Sequence, residues 1–183
     1  MMGTGGHMPM RVDVAVSTDA AALADVAAIT FPLACPASVV AGDIEAFITA
    51  NLSPQCFGEY LADPDRLVLT AVDEGRIIGY AMLVRGLGND PVIAGCSGQQ
   101  SAAEVSKMYV LPDWHRRGAA GDLMEAGISW ASAQHMGALW LGVNQNNPRA
   151  QRFYRKHGFE VTGTRTFRVG ATLENDFVMV RAI

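Results

Sequence analysis

The sequence has few cysteines, and they form none of the usual metal-binding patterns. Cys35, Cys56 and Cys96 are the three cysteines in 183 residues, and they are widely spaced, with no Cys-x-x-Cys pair and no Cys/His cluster. Structural zinc sites and disulfide frameworks depend on closely spaced or paired ligands. We therefore expect that the protein binds no metal, that its thiols are reduced in the cytoplasm, and that each cysteine has a packing role.

Excess positive charge and long apolar runs are also missing. The chain has 14 Lys and Arg against 18 Asp and Glu, for a formal net charge of −4. Proteins that hold nucleic acid across a broad face are usually basic, so no nucleic-acid partner is expected. The apolar stretch 20–34 contains Asp25 and Pro32 and is too short for a membrane span. The Gly- and Met-rich start does not resemble a secretory signal.

The composition is that of a globular chain. Half of the residues are hydrophobic and 17% are charged, and this length suits one domain with one core. We predict a flexible tail over residues 1–10 and a single domain over 11–183. Within 11–65 the apolar spacing predicts helices, listed by range as 20–30, 43–52 and 54–61.

The remainder predicts a mixed α/β fold. Two β-rich runs, 66–72 and 76–84, flank Asp73-Glu74-Gly75 and predict an antiparallel hairpin, whereas 86–100 predicts a surface loop. Strands and helices then alternate, as strand 104–111, helix 122–134, strand 138–144, helix 149–157 and a final hairpin of 159–169 with 176–181. Such alternation indicates a central, partly parallel sheet flanked by helices.

The strand-to-helix junction over 110–122 has the features of an anion site. Small residues there allow a pyrophosphate to approach the backbone N–H groups at a helix N-terminus, and two arginines add charge. These residues are Arg116, Arg117, Gly118, Ala119, Ala120 and Gly121. A tightly packed turn with two solvated arginines explains the same residues. Neither a Rossmann fingerprint nor a P-loop is present.

Two segments resemble signatures of the GNAT superfamily of acyl-CoA N-acyltransferases. Residues 115–120 resemble Gln/Arg-x-x-Gly-x-Gly/Ala, with His115 in place of Gln or Arg, and 107–110 resembles the preceding strand. Residues 147–159 resemble Asn-x-x-Ala-x-x-x-Tyr followed by Gly-Phe. The resemblance implies one GNAT-like domain with an acceptor-side region in 11–65 and an acyl-CoA core in 104–160. It also implies transfer of acetyl from acetyl-CoA to a primary amine without a metal.

The resemblance also implies roles for particular residues on the donor side. Met108 and Val110 would offer backbone groups to the pantetheine arm, and a backbone N–H near Met108 or Tyr109 would stabilise the oxyanion. The pyrophosphate would lie over residues 116–121. Asn147 would hydrogen-bond the donor or serve only as a helix cap.

Catalytic roles follow from the same resemblance. Tyr154 would protonate the CoA thiolate, although a tyrosine on an amphipathic helix is also a common core residue. Glu104 would deprotonate the amine, or be a solvated carboxylate; strict alternation puts Glu104, Ser106, Met108 and Val110 on one face. Gly142 takes the place of a glutamate that some relatives use, which leaves Asp176 and Glu174 as reserve candidates.

Other functions remain compatible with the sequence. A regulator that binds acyl-CoA without turnover would keep the same loop, and His115 and Gly142 leave that alternative open. An acetyltransferase for protein N-termini is a second alternative, whereas the acidic balance disfavours charged tRNA as the acceptor. The acceptor, and the choice between monomer and homodimer, are left open.

Overall fold

The computed structural model describes residues 9–87 and 101–183. The strands in this part of the chain are β1 (Arg11–Val14), β2 (Arg66–Asp73), β3 (Arg76–Arg85), β4 (Ala102–Val110), β5 (Ala138–Asn144), β6 (Glu160–Val169) and β7 (Thr172–Ala182). The helices are α1 (Ala20–Ala34), α2 (Ala41–Asn51), α3 (Pro54–Ala62), α4 (Ala119–Ala133) and α5 (Pro148–Lys156). Short 3₁₀ turns lie at Ser17–Asp19 and Pro112–Trp114.

The described strands form one mixed sheet in the order β1-β2-β3-β4-β5-β7-β6. Only the β4–β5 pair is parallel among them, and the other neighbours are antiparallel. The predicted hairpin at 66–84 is confirmed as β2–β3, with Glu74 and Gly75 both at positive φ in its turn. The predicted mixed, partly parallel sheet is also confirmed.

The front of the chain departs from the prediction in one respect. It contains β1, which pairs with the outer edge of β2 through Val12 and Ala71. A four-residue edge strand carries too short an alternation to be recognised in sequence. The predicted loop at 86–100 lies outside the described residues from position 88 onward, as do residues 1–8 of the predicted tail.

Helices cover both faces of the sheet. Tyr80 of β3 points toward α1 and α3, where its ring meets Phe57 edge-on at 5.5 Å between centroids. Leu83 points to the opposite face, where a Cβ added to Gly127 of α4 would lie 3.3 Å from its side chain. The absence of a side chain at Gly127 lets α4 approach the sheet closely, and both faces share one buried core.

Two irregularities of β4 position the site. Pairing between β4 and β5 covers three residue pairs and ends at Glu104 and Trp140, while β5 stays paired with β7 along its length. The register with β3 shifts so that Met82 faces Lys107 and Leu83 faces Val105, which makes Ser106 a β-bulge. The two parallel strands therefore part toward their carboxyl ends, and β4 bends where they part.

Candidate active site

The bulge corrects the predicted facing of β4. Residues paired across an antiparallel ladder share a face, so Glu104, Lys107 and Tyr109 lie with Val84, Met82 and Tyr80 on the α1–α3 side. Met108 and Val110 lie on the other face. The prediction that Glu104, Ser106, Met108 and Val110 share one face is wrong, because one extra residue reverses the alternation.

Beyond Glu104, one edge of β4 has no strand partner among residues 9–87 and 101–183. Residues 105–110 have left β5 but remain paired with β3 on their other side. Backbone groups on such an edge can pair with an extended ligand in the way an added strand would. The predicted donor-side residues Met108, Tyr109 and Val110 all lie on this stretch.

The loop after β4 turns its backbone into the start of α4. Arg116 and Gly118 have φ of 65° and 92°, and Gly118 is the N-cap of α4. The first-turn N–H groups of a helix have no intrahelical acceptor and carry the positive end of its dipole. A Cβ added to Gly118 or Gly121 would meet no atom of the described residues within 4 Å, so the described part of the chain leaves space at both positions. The predicted anion site has both the donors and the room.

Side chains fix this loop to the sheet. The Trp114 indole N–H donates to Asp73 Oδ2 at 2.8 Å, and the guanidinium groups of Arg76 and Arg117 lie 5.4 and 5.9 Å from its ring centroid. Nε2 of His115 lies 2.8 Å from the Val110 carbonyl oxygen. His115, which stands in place of the Gln or Arg of the GNAT signature, therefore connects the loop to the end of β4. Its contact uses one of the two lone pairs of that carbonyl.

Asn147 acts as the helix cap that the sequence predicted. Its Oδ1 accepts from the Ala150 N–H at 3.1 Å, and Pro148 follows at the first helical position. The buried Gln151 donates through Nε2 to the carbonyls of Asn144 and Gln145 at 3.1 and 2.9 Å. These contacts fix α5 against the end of β5.

Tyr154 is held on α5 by an aromatic cluster. Its ring packs edge-on against Phe153 and Phe159, with centroids 5.4 and 6.0 Å away. Burial raises the pKa of the Tyr154 phenol to about 12, so it is protonated at neutral pH. Burial, followed by the negative charge of an ionised Tyr154, raises the pKa of Tyr109 still further. The two phenols are thus close enough for one to influence the ionisation of the other.

An ion cluster that the sequence analysis missed lies on the face of Glu104. Arg165 of β6 has Nη1 at 3.6 Å from Glu104 Oε1 and Nε at 3.7 Å from Asp176 Oδ2. Burial raises the pKa of both carboxyls, and the Arg165 charge partly opposes that rise. No motif marks Arg165, because its partners lie on β4 and β7, at other places in the chain.

Gly142, where the sequence analysis noted a missing glutamate, adjoins this cluster. A Cβ at position 142 would overlap the guanidinium of Arg165. The space above Gly142 is therefore filled by an arginine from β6. Of the reserve carboxylates, Asp176 is buried and lies in the cluster, and Glu174 accepts hydrogen bonds from Ser38 and Asn144 at 3.0 and 3.1 Å.

Residues 39–159 match the sequence model of the Acetyltransferase (GNAT) family. The chain belongs to the GNAT acetyltransferase family. An uncharacterized N-acetyltransferase of Mycobacterium tuberculosis is 54% identical over 168 residues, which cover 91% of this chain and 99% of that protein. A second N-acetyltransferase, from Lactobacillus delbrueckii, is 24% identical over 77% of this chain and 79% of its own length.

A solved structure extends the likeness to the whole fold. The PaiA N-acetyltransferase of Thermoplasma acidophilum, crystallised with coenzyme A, superimposes with a TM-score of 0.77 at 19% identity. The match covers 96% of this GNAT chain and all of that protein, which confirms the GNAT fold class. In the described ranges every helix is too short or too polar to cross a lipid bilayer.

Proposed function

We propose that this GNAT protein transfers an acetyl group from acetyl-CoA to a primary amine by direct attack in a ternary complex. The observation that carries the proposal is that β4 and β5 part toward their carboxyl ends. From those ends the chain leads into the N-terminus of α4 and into α5, which carries Tyr154. The amine nitrogen forms a bond to the acetyl carbon as the carbon–sulfur bond breaks. One proton leaves the nitrogen and one reaches the sulfur.

The residues of the loop fit the pyrophosphate of an acyl-CoA donor. Backbone N–H groups of Ala119, Ala120 and Gly121 lie at the positive end of the α4 dipole, and Arg116 and Arg117 are exposed beside them. The space that the described residues leave at Gly118 admits a bulky anion. On the β4 edge, backbone groups of Met108 and Val110 would pair with the pantetheine arm, and an N–H near Met108 or Tyr109 would stabilise negative charge on the thioester oxygen. Asn147 would contact the arm while it caps α5.

Glu104 is assigned as the base that receives the amine proton. It lies at the last β4–β5 pair, where the two strands begin to part. Burial raises the pKa of its carboxyl, which makes the carboxylate a better proton acceptor than an exposed one. Amine nucleophiles attack only as the free base, so proton removal close to the thioester raises the reactive fraction.

Tyr154 is assigned as the acid that protonates the departing thiolate. With a pKa near 12 it carries its proton at every physiological pH. A thiolate that leaves in an apolar pocket gains more from protonation than one that leaves into water. The edge-on contacts with Phe153 and Phe159 fix the ring for this purpose.

The free thiols of Cys35 and Cys56 fit a cytoplasmic setting, where thiols stay reduced and acetyl-CoA is supplied.

The proposed function is tested by thiol release from acetyl-CoA with a panel of small amines and of peptides with free N-termini. Acetyl-CoA is titrated in parallel by calorimetry. Release that depends on one class of amine supports the proposal and identifies the acceptor. Tight binding without release for every amine would favour a regulator that only binds acyl-CoA.

A further inference from the structure

The guanidinium of Arg165 lies between carboxylates from two other strands. The distances to Glu104 and Asp176, 3.6 and 3.7 Å, are those of ion pairs without a good hydrogen bond. Its Nε is buried and has no hydrogen-bond partner among the described residues, and its Cζ lies 5.6 Å from the Trp140 ring centroid. Shape and charge, more than hydrogen bonding, hold the group in place.

The sheet makes room for this arrangement. Trp140 and Glu104 are the last parallel pair before β4 and β5 separate, and Gly142 comes two residues later on β5. Any side chain at 142 would overlap the guanidinium. The guanidinium therefore covers Gly142 of β5 next to the assigned base, at the level where β4 and β5 begin to part.

We propose that Arg165 is a positioning residue of the transfer reaction, which holds Glu104 and Asp176 ionised beside the point where β4 and β5 part. Gly142 provides the space it needs. The inference rests on the proposed role of Glu104 as the base. It adds a residue on β6 that acts through that base and does not touch the reacting atoms.

Several charged groups besides Arg165 face the two carboxylates. Glu104 is faced by Arg165, by Lys107 on its own strand and by Arg66 of β2, all of which favour its ionised form against the effect of burial. Asp176 is faced by Arg165 and by Glu174, and its charge is felt by Tyr109. Because Arg165 is common to both, its loss should raise the pKa of both carboxyls and leave a partly buried Glu104 and a buried Asp176 without their shared counter-charge.

Four variants separate charge from shape. Arg165→Met removes the charge and keeps an apolar stem, whereas Arg165→Lys keeps a charge without the planar fork. Gly142→Ala displaces the guanidinium and alters no ionisable group. Arg168→Met is the matched control, since Arg168 is an exposed arginine on the same strand.

The first measurement needs no activity. Carboxyl ¹³C resonances of labelled Glu104 are followed against pH in the free protein. Arg165→Met and Gly142→Ala should move the titration midpoint of Glu104 to higher pH. Arg165→Lys should keep the midpoint close to the wild-type value, and Arg168→Met should leave it unchanged. An unmoved midpoint in folded Arg165→Met or Gly142→Ala protein overturns the proposal. If Arg165→Met does not fold, Gly142→Ala and Arg165→Lys decide.

The second measurement is the pH profile of kcat/KM with one amine. On its acidic limb Arg165→Met should lose about tenfold, as expected for loss of an opposite charge near a carboxylate, and the deficit should close at the alkaline plateau. The titration of the amine is common to all variants and cancels in the comparison. A moved NMR midpoint with an unmoved rate profile would refute the positioning role. If the wild-type protein acetylates no amine, the proposed function is refuted, and with it the role of Arg165 in that reaction. The effect of Arg165 on the pKa of Glu104, measured by NMR, would still hold.

Discussion

Replacing Tyr154 by Phe removes the phenol oxygen and keeps the ring. The contacts with Phe153 and Phe159 involve the ring faces and edges, so they survive the change. At a pKa near 12 the fraction ionised at pH 7 is about one in 10⁵, so the lost group is a proton donor in nearly every molecule. Loss of one general acid typically costs 10²–10⁴-fold in rate. We expect kcat to fall by at least about 10²-fold, or about 2.7 kcal/mol, with unchanged acetyl-CoA affinity.

The assay is steady-state thiol release with the best amine, together with calorimetry and thermal unfolding of the same preparations. A donor whose thiol is more acidic should narrow the gap between Tyr154→Phe and wild type, because a better leaving group needs less protonation. Tyr80→Phe is the matched control, since the Tyr80 hydroxyl is buried without a hydrogen-bond partner in the described structure. It should keep its rate and its stability. Tyr154→Phe protein that unfolds early and keeps its rate per folded molecule would refute the catalytic role.

Three further variants test the donor site, the base and the packing. Gly118→Glu places a negatively charged residue with strained backbone, at φ 92°, at the N-cap of α4 and should abolish acetyl-CoA binding in calorimetry. Gly58→Glu, at an exposed position of α3, is the control and should bind normally. Equal affinities of the two variants would show that the pyrophosphate does not bind at this loop. Glu104→Gln should lower turnover most at acidic pH, where little free amine exists, and superimposable pH–rate curves would make Glu104 a bystander. Gly127→Val should crowd Leu83, whose Cδ2 would lie 3.3 Å from the added Cβ alone, and should lower the free energy of unfolding in urea by about 1–3 kcal/mol. The double variant with Leu83→Ala should recover part of that loss, and no recovery would place the strain elsewhere.

The second half of the fold was predictable because its signals are local. Asn147 and Pro148 begin α5, and Gly158, at φ 83°, follows its end, as their residue types predict. The partly parallel sheet followed from strands and helices that alternate. The strand β1 was missed because its stability comes from pairing with β2, about 60 residues away, and four residues carry little pattern of their own.

The site shows the same division between local and distant causes. The loop at 115–121 and Tyr154 belong to short motifs, so the resemblance pointed to them. The facing of Glu104 depends on a bulge at Ser106, which arises from the register with β3 and leaves no mark in the β4 sequence. Arg165 was missed because its ion pairs join three strands. The glycine at position 142 is explained only by the structure, where the Arg165 guanidinium fills the space that a side chain would need.

The central claim is direct acetyl transfer from acetyl-CoA to an amine, and initial velocities with both substrates varied test it most directly. Product formed from ¹³C-acetyl-CoA is measured by mass spectrometry, and free thiol is measured in the same samples. The account predicts intersecting double-reciprocal lines, as for a ternary complex, and one labelled amide for each thiol released. Parallel lines with a labelled, covalently acetylated protein would contradict direct transfer, and thiol release without a labelled amide would contradict amine acetylation itself.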